Sequence, residues 1–294
     1  MKYLQLLFII ILVSGCSGTK RIVETSPKRT TEQTETKTDT IQEVIAIKKD
    51  FDETSVLEET PNETKIDTIK NQVEIIPTKP VLHSQWNNLL KSHVSENGNV
   101  NYSGFKNNWS TLRNYLESLN KKLPDENWNK NEKLAYWINT YNAMTIDLIL
   151  RHYPVNSIKD IKDPWKQRYW KLGEKWYNLD EIEHKILRQM SEPRIHFAIV
   201  CASYSCPKLL NEAYTASNME NQLTKATKDF INDSERNILT PNKVELSKIF
   251  TWFKKDFLIN GNGNIIHFIN KYSDIKVSEK AQKSYMEYNW SLNE

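Results

Sequence analysis

The chain has 294 residues, enough for one domain of ordinary size or two small ones. Lysine and arginine total 40 against 37 aspartate and glutamate, so the net charge of +3 is slight. No basic run interleaved with aromatic residues indicates a nucleic-acid surface, and the seven glycines form no phosphate-binding loop. The composition therefore gives no support for a nucleic-acid partner or a dinucleotide or nucleotide cofactor.

Residues 1–16 have the features of a secretory signal. Lys2 gives a positive start, and the apolar run that follows is too short to span a bilayer as a stable helix. The run closes with Ser-Gly-Cys at Cys16, which resembles a lipobox whose cysteine becomes lipidated, with palmitate among the acyl chains. Ser17 favours sorting to the outer membrane. The prediction is a lipoprotein held in the outer membrane through Cys16 and facing the periplasm.

Residues 17–80 are predicted to form a disordered tether. Thr, Glu, Lys and Asp dominate this segment, and residues 30–40 contain no apolar side chain. Such a composition cannot bury enough surface to offset the entropy lost on ordering. Pro77 and Pro80 close the tether. Residues 81–294 are predicted to form a single α+β domain, mainly helical, around a small β-sheet.

The spacing of apolar residues predicts the elements of this domain in chain order. Helices are expected at residues 81–94, 109–119 and 131–152. A hairpin of 170–172 and 175–177 follows, and then a helix that Asn178 or Asp180 caps and that runs to Arg188. A buried strand at 195–200 is followed by a helix at 217–230, a hairpin at 238–246 and helices at 247–257 and 263–272. No internal repeat is visible.

The stretch around residues 195–200 carries the candidate chemistry. The predicted strand is apolar except for His196, and it stops at Cys201. Small and polar residues follow as far as Cys206, and Pro207 ends the segment. A buried strand that ends at a thiol and contains a histidine is a common way to build a site.

Five ordered segments resemble the domain of unknown function 547 family. They are residues 134–143 (LAYWINTYNA), 179–188 (LDEIEHKILR), 194–207 (RIHFAIVCASYSCP), 246–257 and 288–292. The resemblance covers about residues 84–292. It departs from the family at Ala202, where Gly is common, and at Asn289, where Asp is usual. It implies an envelope lipoprotein and groups Asn139, Asn142, His184, His196 and Cys201 as signature positions without assigning them roles.

One interpretation of these residues is catalytic. Cys201 would be a nucleophile activated by His184 or His196, since a thiolate needs a nearby base or positive charge. Asn139 or Asn142 would orient the imidazole or line an oxyanion site. Strand alternation places His196 on the face opposite Cys201, which favours His184 as the partner. The protein would then be a Cys-dependent hydrolase or acyl-transferase acting on envelope peptides or amides.

A second interpretation, which the sequence leaves equally open, is a structural disulfide between Cys201 and Cys206. The protein would then be a non-catalytic envelope scaffold or binding module, with the aromatic segment 165–177 as its recognition surface. A third has Cys201, Cys206, His184 and His196 as metal ligands. The spacing C-x4-C with distant histidines does not match a standard zinc pattern, so no metal is predicted.

Overall fold

The structure, a computed structural model, describes residues 83–258 and 263–294. The predicted signal at 1–16, with Cys16, and the tether at 17–80 lie outside the described residues, so both stay predictions. Among the helices of the described part, none has the length and apolar content needed to span a bilayer.

The described residues form the predicted α+β architecture, with nine α-helices and two small sheets. The helices are α1 (Ser84–His93), α2 (Tyr102–Asn107), α3 (Trp109–Asn120), α4 (Lys130–His152), α5 (Leu179–Glu181), α6 (Met219–Asn232), α7 (Ile249–Trp252), α8 (Lys254–Phe257) and α9 (Ile265–Ile269). The strands are β1 (Trp170–Leu172), β2 (Lys175–Tyr177), β3 (Ile238–Leu239), β4 (Lys243–Leu246) and β5 (Gln282–Tyr285). A π-helical turn at Ile182–Ile186 continues α5.

Both predicted hairpins are present. Strands β1 and β2 pair antiparallel, with Trp170 opposite Tyr177, and Gly173 takes a positive φ of 58° at their turn. Strands β3 and β4 form the second hairpin, and β5 adds to β4 in parallel, which gives a three-stranded sheet of order β3-β4-β5.

Helix α4 is the centre of the domain, as its apolar spacing predicts. The Asn129 side chain accepts a hydrogen bond from the Glu132 amide (3.0 Å), and the Glu132 carboxylate accepts one from the Asn129 amide (2.7 Å). This capping box fixes where the helix begins. Every residue from 134 to 150 is buried. A helix that is buried on all sides must satisfy its polar side chains inside the protein.

The segment after α5 joins two hydrophobic cores. Ile195 packs in the core that surrounds α4, whereas Phe197 packs in a second core of aromatic residues. The ring of Phe197 lies 5.1 Å from that of Phe230 and 5.6 Å from that of Phe257, measured between centroids. Anchoring in both cores fixes the backbone immediately before Cys201.

The predicted strand at residues 195–200 is wrong. Pro193–Phe197 forms a 3-10 turn, with Pro193 in its first turn and the Glu192 side chain accepting a hydrogen bond from the Arg194 amide (3.2 Å). The apolar run is buried as expected. A short apolar run fits a buried helical turn as well as a buried strand, and periodicity does not separate the two. The proline at its start favours the helical turn.

Beyond this turn, a side chain takes the place that a neighbouring strand would have. Asn142 of α4 donates from Nδ2 to the carbonyl oxygen of Ala198 and accepts at Oδ1 from the amide of Val200, both at 2.9 Å. The buried backbone of residues 198–200 therefore has hydrogen-bond partners without belonging to a sheet.

We expect Asn142→Ala to lower the free energy of unfolding by about 2–4 kcal/mol, because two buried backbone groups lose their partner. Chemical denaturation of the full chain measures the change. Asn131→Ala is the matched control, since Asn131 is exposed at the start of the same helix, and it should change stability by less than about 0.5 kcal/mol. Equal changes in the two variants would contradict the structural role of Asn142.

Candidate functional site

A cavity of about 770 Å³ lies beside the loop that carries the two cysteines. Its wall includes both thiols, both candidate imidazoles and further polar groups: Cys201, Cys206, His184, His196, Tyr141, Asp180, Glu183 and Arg188. Aromatic rings and lysines complete it, among them Trp165, Trp252, Phe253, Tyr288, Trp290, Lys159, Lys162 and Lys166. The volume and the mixed lining are typical of a ligand site. The structure thus brings four of the predicted site residues to one cavity.

The dithiol loop, residues 201–207, is held by residues 288–292, which we call the carboxyl-terminal clamp. The Tyr204 amide donates to the Ser291 carbonyl (2.7 Å), and the Ser205 amide donates to the Asn289 carbonyl (3.1 Å). These bonds give partners to two amides of a loop that lies outside both sheets of the described structure.

Two departures from the family pattern are accommodated in this clamp. Ala202 has φ of +60°, in the left-handed region that glycine adopts without a Cβ clash. The common Gly therefore suits this position better, and the alanine is strained. The side chain of Asn289 accepts a hydrogen bond from the Ser291 amide (2.9 Å). An aspartate offers the same acceptor oxygen.

Cys201 and Cys206 are in direct contact. Their Sγ atoms are 2.7 Å apart, and the Cys201 amide donates to Cys206 Sγ at 3.1 Å. The Ser203 hydroxyl lies 3.1 Å from Cys201 Sγ and 3.2 Å from Cys206 Sγ, and Tyr288 Oη lies 3.3 Å from Cys206 Sγ. Both side chains are free cysteines here. The disulfide stays a prediction for the oxidised protein.

The contact gives the two thiols different acidities. Burial raises the pKa of Cys206, but the hydrogen bonds from Cys201, Ser203 and Tyr288 outweigh burial and lower that pKa to about 6. The hydrogen bond to Cys206, burial and the charge on Cys206 raise the pKa of Cys201. The dithiol pair therefore holds one negative charge and one proton between two sulfur atoms at neutral pH.

His196 belongs to a separate ionic cluster in the same wall. Its Nε2 lies 2.8 Å from Asp256 Oδ2, and its ring stacks on Phe253 with centroids 3.9 Å apart. Arg188 holds the same carboxylate with two nitrogen atoms, at 2.6 and 2.8 Å. Burial lowers the pKa of His196 despite Asp256. Burial acts to raise the pKa of Asp256, but its hydrogen bonds with His196 and Arg188 hold it well below its usual range.

His184 lies at the edge of this cluster. Its Nδ1 is 3.0 Å from Arg188 Nη1, and its Nε2 is 3.7 Å from Asp180 Oδ1. Burial lowers the pKa of His184. Among the described residues, Cys201 Sγ has hydrogen-bond partners in its own loop and in Tyr288, and neither imidazole is one of them. The prediction that His184 is the partner of Cys201 depends on strand alternation. It loses its basis because residues 195–200 do not form a strand.

Asn139 and Asn142 support the backbone around the site. Asn139 donates to the Tyr214 carbonyl (2.8 Å) and accepts from the Tyr214 amide (3.0 Å), a reciprocal pair like the one that Asn142 makes with the chain before Cys201. Neither amide is among the groups that line the cavity in the described structure. In the described structure both side chains hold loops through backbone hydrogen bonds, and neither bonds an imidazole.

Glu183 is a cavity residue that the sequence reasoning missed. It follows α5 in the π-helical turn, is 8% exposed, and accepts a hydrogen bond from Tyr141 Oη at 3.1 Å. Burial raises its pKa to about 7, although the Tyr141 hydrogen bond and the charge of Arg188 act in the opposite direction. Its place beside His184 in a family-like segment was an available signal. A glutamate in a charged helical stretch otherwise looks like a solvent-exposed residue.

Asp256, Ser203 and Tyr288 were also missed as site residues. All three lie in segments that resemble the family, so the signal was present in the sequence. Their roles depend on contacts over long separations, such as the 60 residues between His196 and Asp256. Spacing along the chain does not reveal such pairs.

The aromatic segment at 165–177 is divided between the core and the site. Trp165 lines the cavity, where its ring lies 6.0 Å from that of Trp290. Trp170 is buried and donates to Asp147 Oδ2 (2.8 Å), whereas Trp176 is about half exposed. Of the aromatic residues in the predicted recognition surface, Trp165 is the one that lines this cavity in the described structure.

No group of three or more His, Cys, Asp or Glu side chains in residues 83–258 and 263–294 has an arrangement that could hold a metal ion. Cys201, Cys206, His184 and His196 thus do not form one group of ligands in the described residues.

A comparison with known protein families places part of this site in a segment that matches a family model. Residues 126–231 match the family described as Protein of unknown function, DUF547. The match contains α4, the π-helical turn and the dithiol loop, and it supports the resemblance seen in those segments. Asp256 and Tyr288 lie beyond it. The comparisons with curated proteins and with solved structures gave no match.

We expect Tyr288→Phe to raise the lower apparent pKa of the dithiol pair by about 1, because the thiolate loses one hydrogen-bond donor. The rate of alkylation by iodoacetamide against pH, measured on the reduced full chain, reports this value. Tyr285→Phe is the control, since Tyr285 is exposed on β5 and should leave the profile unchanged. An unshifted profile for Tyr288→Phe would show that its hydroxyl does not stabilise the thiolate.

Proposed function

We propose that this protein is a Cys-dependent hydrolase or acyl-transferase that acts on peptide or amide bonds. The observation that carries the proposal is the dithiol pair, which holds a negative charge in the wall of a cavity of ligand size. Its thiolate is stabilised by hydrogen bonds within its own loop and from Tyr288, so it does not need an adjacent imidazole.

Cys201 is the attacking sulfur in this proposal, because it is partly exposed while Cys206 is only 5% exposed. The proton of Cys201 moves to Cys206 along the 2.7 Å contact. Cys201 Sγ then attacks the substrate carbonyl carbon, and the bond to the leaving group breaks. The leaving group departs with the bonding electrons and takes up a proton, and a thioester remains on Cys201. Water or an acceptor amine attacks the thioester and regenerates the pair.

The rest of the cavity offers the groups that an extended chain of amides requires. His196, fixed by Asp256 and Phe253, presents a mainly neutral imidazole for hydrogen bonding. Trp252, which is 46% exposed, stacks near Trp290 with ring centroids 5.7 Å apart. Aromatic faces of this kind bind apolar parts of a ligand with little loss of side-chain entropy.

The runner-up is a non-catalytic envelope scaffold or binding module. The close approach of the two sulfur atoms favours it, because oxidation of the pair needs only a small movement of the side chains. A stable disulfide would remove the nucleophile and leave the cavity as a binding site. The redox state of the purified chain therefore separates the two functions.

We further propose that the protein works in the bacterial envelope, tethered to the outer membrane through lipidated Cys16, with an envelope peptide or protein as its substrate or partner. The support is the lipobox-like order of residues at 1–16 and the polar composition of 17–80.

We expect p-nitrophenyl acetate to place one acetyl group on Cys201 of the reduced full chain, as seen by intact mass and peptide mapping. Cys201→Ser should abolish acetylation. Cys206→Ser should slow it several-fold at pH 7, because Cys201 then loses the partner with which it ionises near pH 6. A Cys201–Cys206 disulfide that resists mild reductant, or acetylation unaffected by Cys201→Ser, would overturn the proposal.

We expect an alkyne analogue of palmitate, fed to bacteria that express the full chain, to label the protein through Cys16. Cys16→Ser should lose the label and leave the membrane fraction. Cys206→Ser is the control and should keep both properties. Labelling that survives Cys16→Ser would contradict the proposed anchor.

A further inference from the structure

Glu183 is a buried carboxyl group in the cavity that the mechanism above does not use. The π-helical turn brings it to the cavity that the dithiol pair also lines, and Tyr141 of α4 donates to its Oε2 at 3.1 Å. Turns of this kind occur frequently at functional sites. A buried carboxyl group that lines a cavity can exchange a proton with a bound ligand.

Glu183 has no ion-pair partner among the described residues. Arg188 is the nearby cation, but its guanidinium is engaged by Asp256 and His184 at 2.6 to 3.0 Å. Asp180 and Cys206 are nearby anions, and both favour the protonated form of Glu183.

Glu181, two residues earlier, shows what a purely structural glutamate in this segment looks like. It is 6% exposed and bonds Arg168 at 2.7 Å, with Lys175 and Lys185 at 3.5 and 3.7 Å. The hydrogen bond from Arg168 outweighs burial and lowers its pKa. Glu183 has a hydroxyl donor instead of a cation and remains partly protonated at neutral pH.

The imidazoles of the cavity are poorly suited to donate a proton. His196 is tied to Asp256, and His184 faces Arg188. Burial lowers the pKa of both rings, so both are mainly neutral at pH 7. A proton for a leaving amine or alkoxide must therefore come from another group in the wall.

We propose that Glu183 is the general acid and base of acyl transfer at the dithiol pair. This inference rests on the proposed function. As the thiolate of Cys201 bonds to the substrate carbonyl carbon, the bond to the leaving nitrogen or oxygen breaks and that atom takes the proton of Glu183. The carboxylate of Glu183 then takes a proton from water, the hydroxide attacks the thioester, and the carbon–sulfur bond breaks to return the thiolate.

The experiment compares two acetyl esters on the reduced full chain. The leaving group of p-nitrophenyl acetate departs as a stable anion, whereas that of phenyl acetate needs a proton. Glu183→Gln should slow acylation by phenyl acetate about 100-fold or more and change acylation by p-nitrophenyl acetate little. Hydrolysis of the acetyl-enzyme should also slow, so a burst of p-nitrophenol should precede a slow steady state. Glu181→Gln is the matched control and should change neither ester rate.

The pH profile gives a second readout that a merely structural residue would not change. Acylation by phenyl acetate should rise through about pH 6, as the dithiol pair ionises, and fall above about pH 7, as Glu183 loses its proton. Glu183→Gln should remove the falling limb. Tyr141→Phe should move that limb to higher pH, because the Tyr141 hydrogen bond lowers the pKa of Glu183.

The outcomes separate this inference from the proposed function. Wild-type protein that p-nitrophenyl acetate does not acetylate would overturn both. Acetylation of Cys201 with the same ratio of ester rates and the same falling limb in Glu183→Gln would keep the thiol enzyme and overturn the role of Glu183. If Glu183→Gln proves unstable, Tyr141→Phe tests the inference instead. A falling limb of the pH profile that does not move in Tyr141→Phe would contradict it.

Discussion

The site depends on one side-chain amide in the most buried helix of the domain. Asn142 donates to the carbonyl of Ala198 and accepts from the amide of Val200, which fixes the backbone just before Cys201. An apolar residue at this position would leave two buried backbone groups without partners. The asparagine thus replaces a strand neighbour, and it lets a single buried helix position a loop that belongs to no sheet.

A buried thiolate needs several hydrogen-bond donors, and most of them here come from the dithiol loop itself. The Cys201 amide and the Ser203 hydroxyl come from the loop, and Tyr288 comes from the segment that clamps it. Removing a charge from water is unfavourable unless hydrogen bonds compensate for it. The carboxyl-terminal clamp therefore has an electrostatic as well as a mechanical role, since Tyr288 reaches the sulfur atoms only while the clamp is in place.

Much of the helical framework could be predicted from the sequence, because α4 and both hairpins depend on local periodicity and turn residues. The strand that the sequence predicts at 195–200 is wrong, because burial is visible in the sequence but hydrogen-bond partners are not. The resemblance to the family groups His184, His196 and Cys201 as signature positions. It did not place Asp256 beside His196 or Tyr288 beside the thiols, because both contacts cross long separations and depend on how the second core folds back.

The segment from α5 through the π-helical turn explains how two neighbouring glutamates acquire opposite properties. Residues two positions apart point to nearly opposite sides of a helix, so Glu181 faces Arg168 while Glu183 faces Tyr141 and the cavity. One carboxyl group meets a cation and stays ionised, and the other meets a hydroxyl group beside a thiolate and keeps its proton more readily. The sequence shows two similar side chains, and the helical geometry decides which of them can exchange a proton with a ligand.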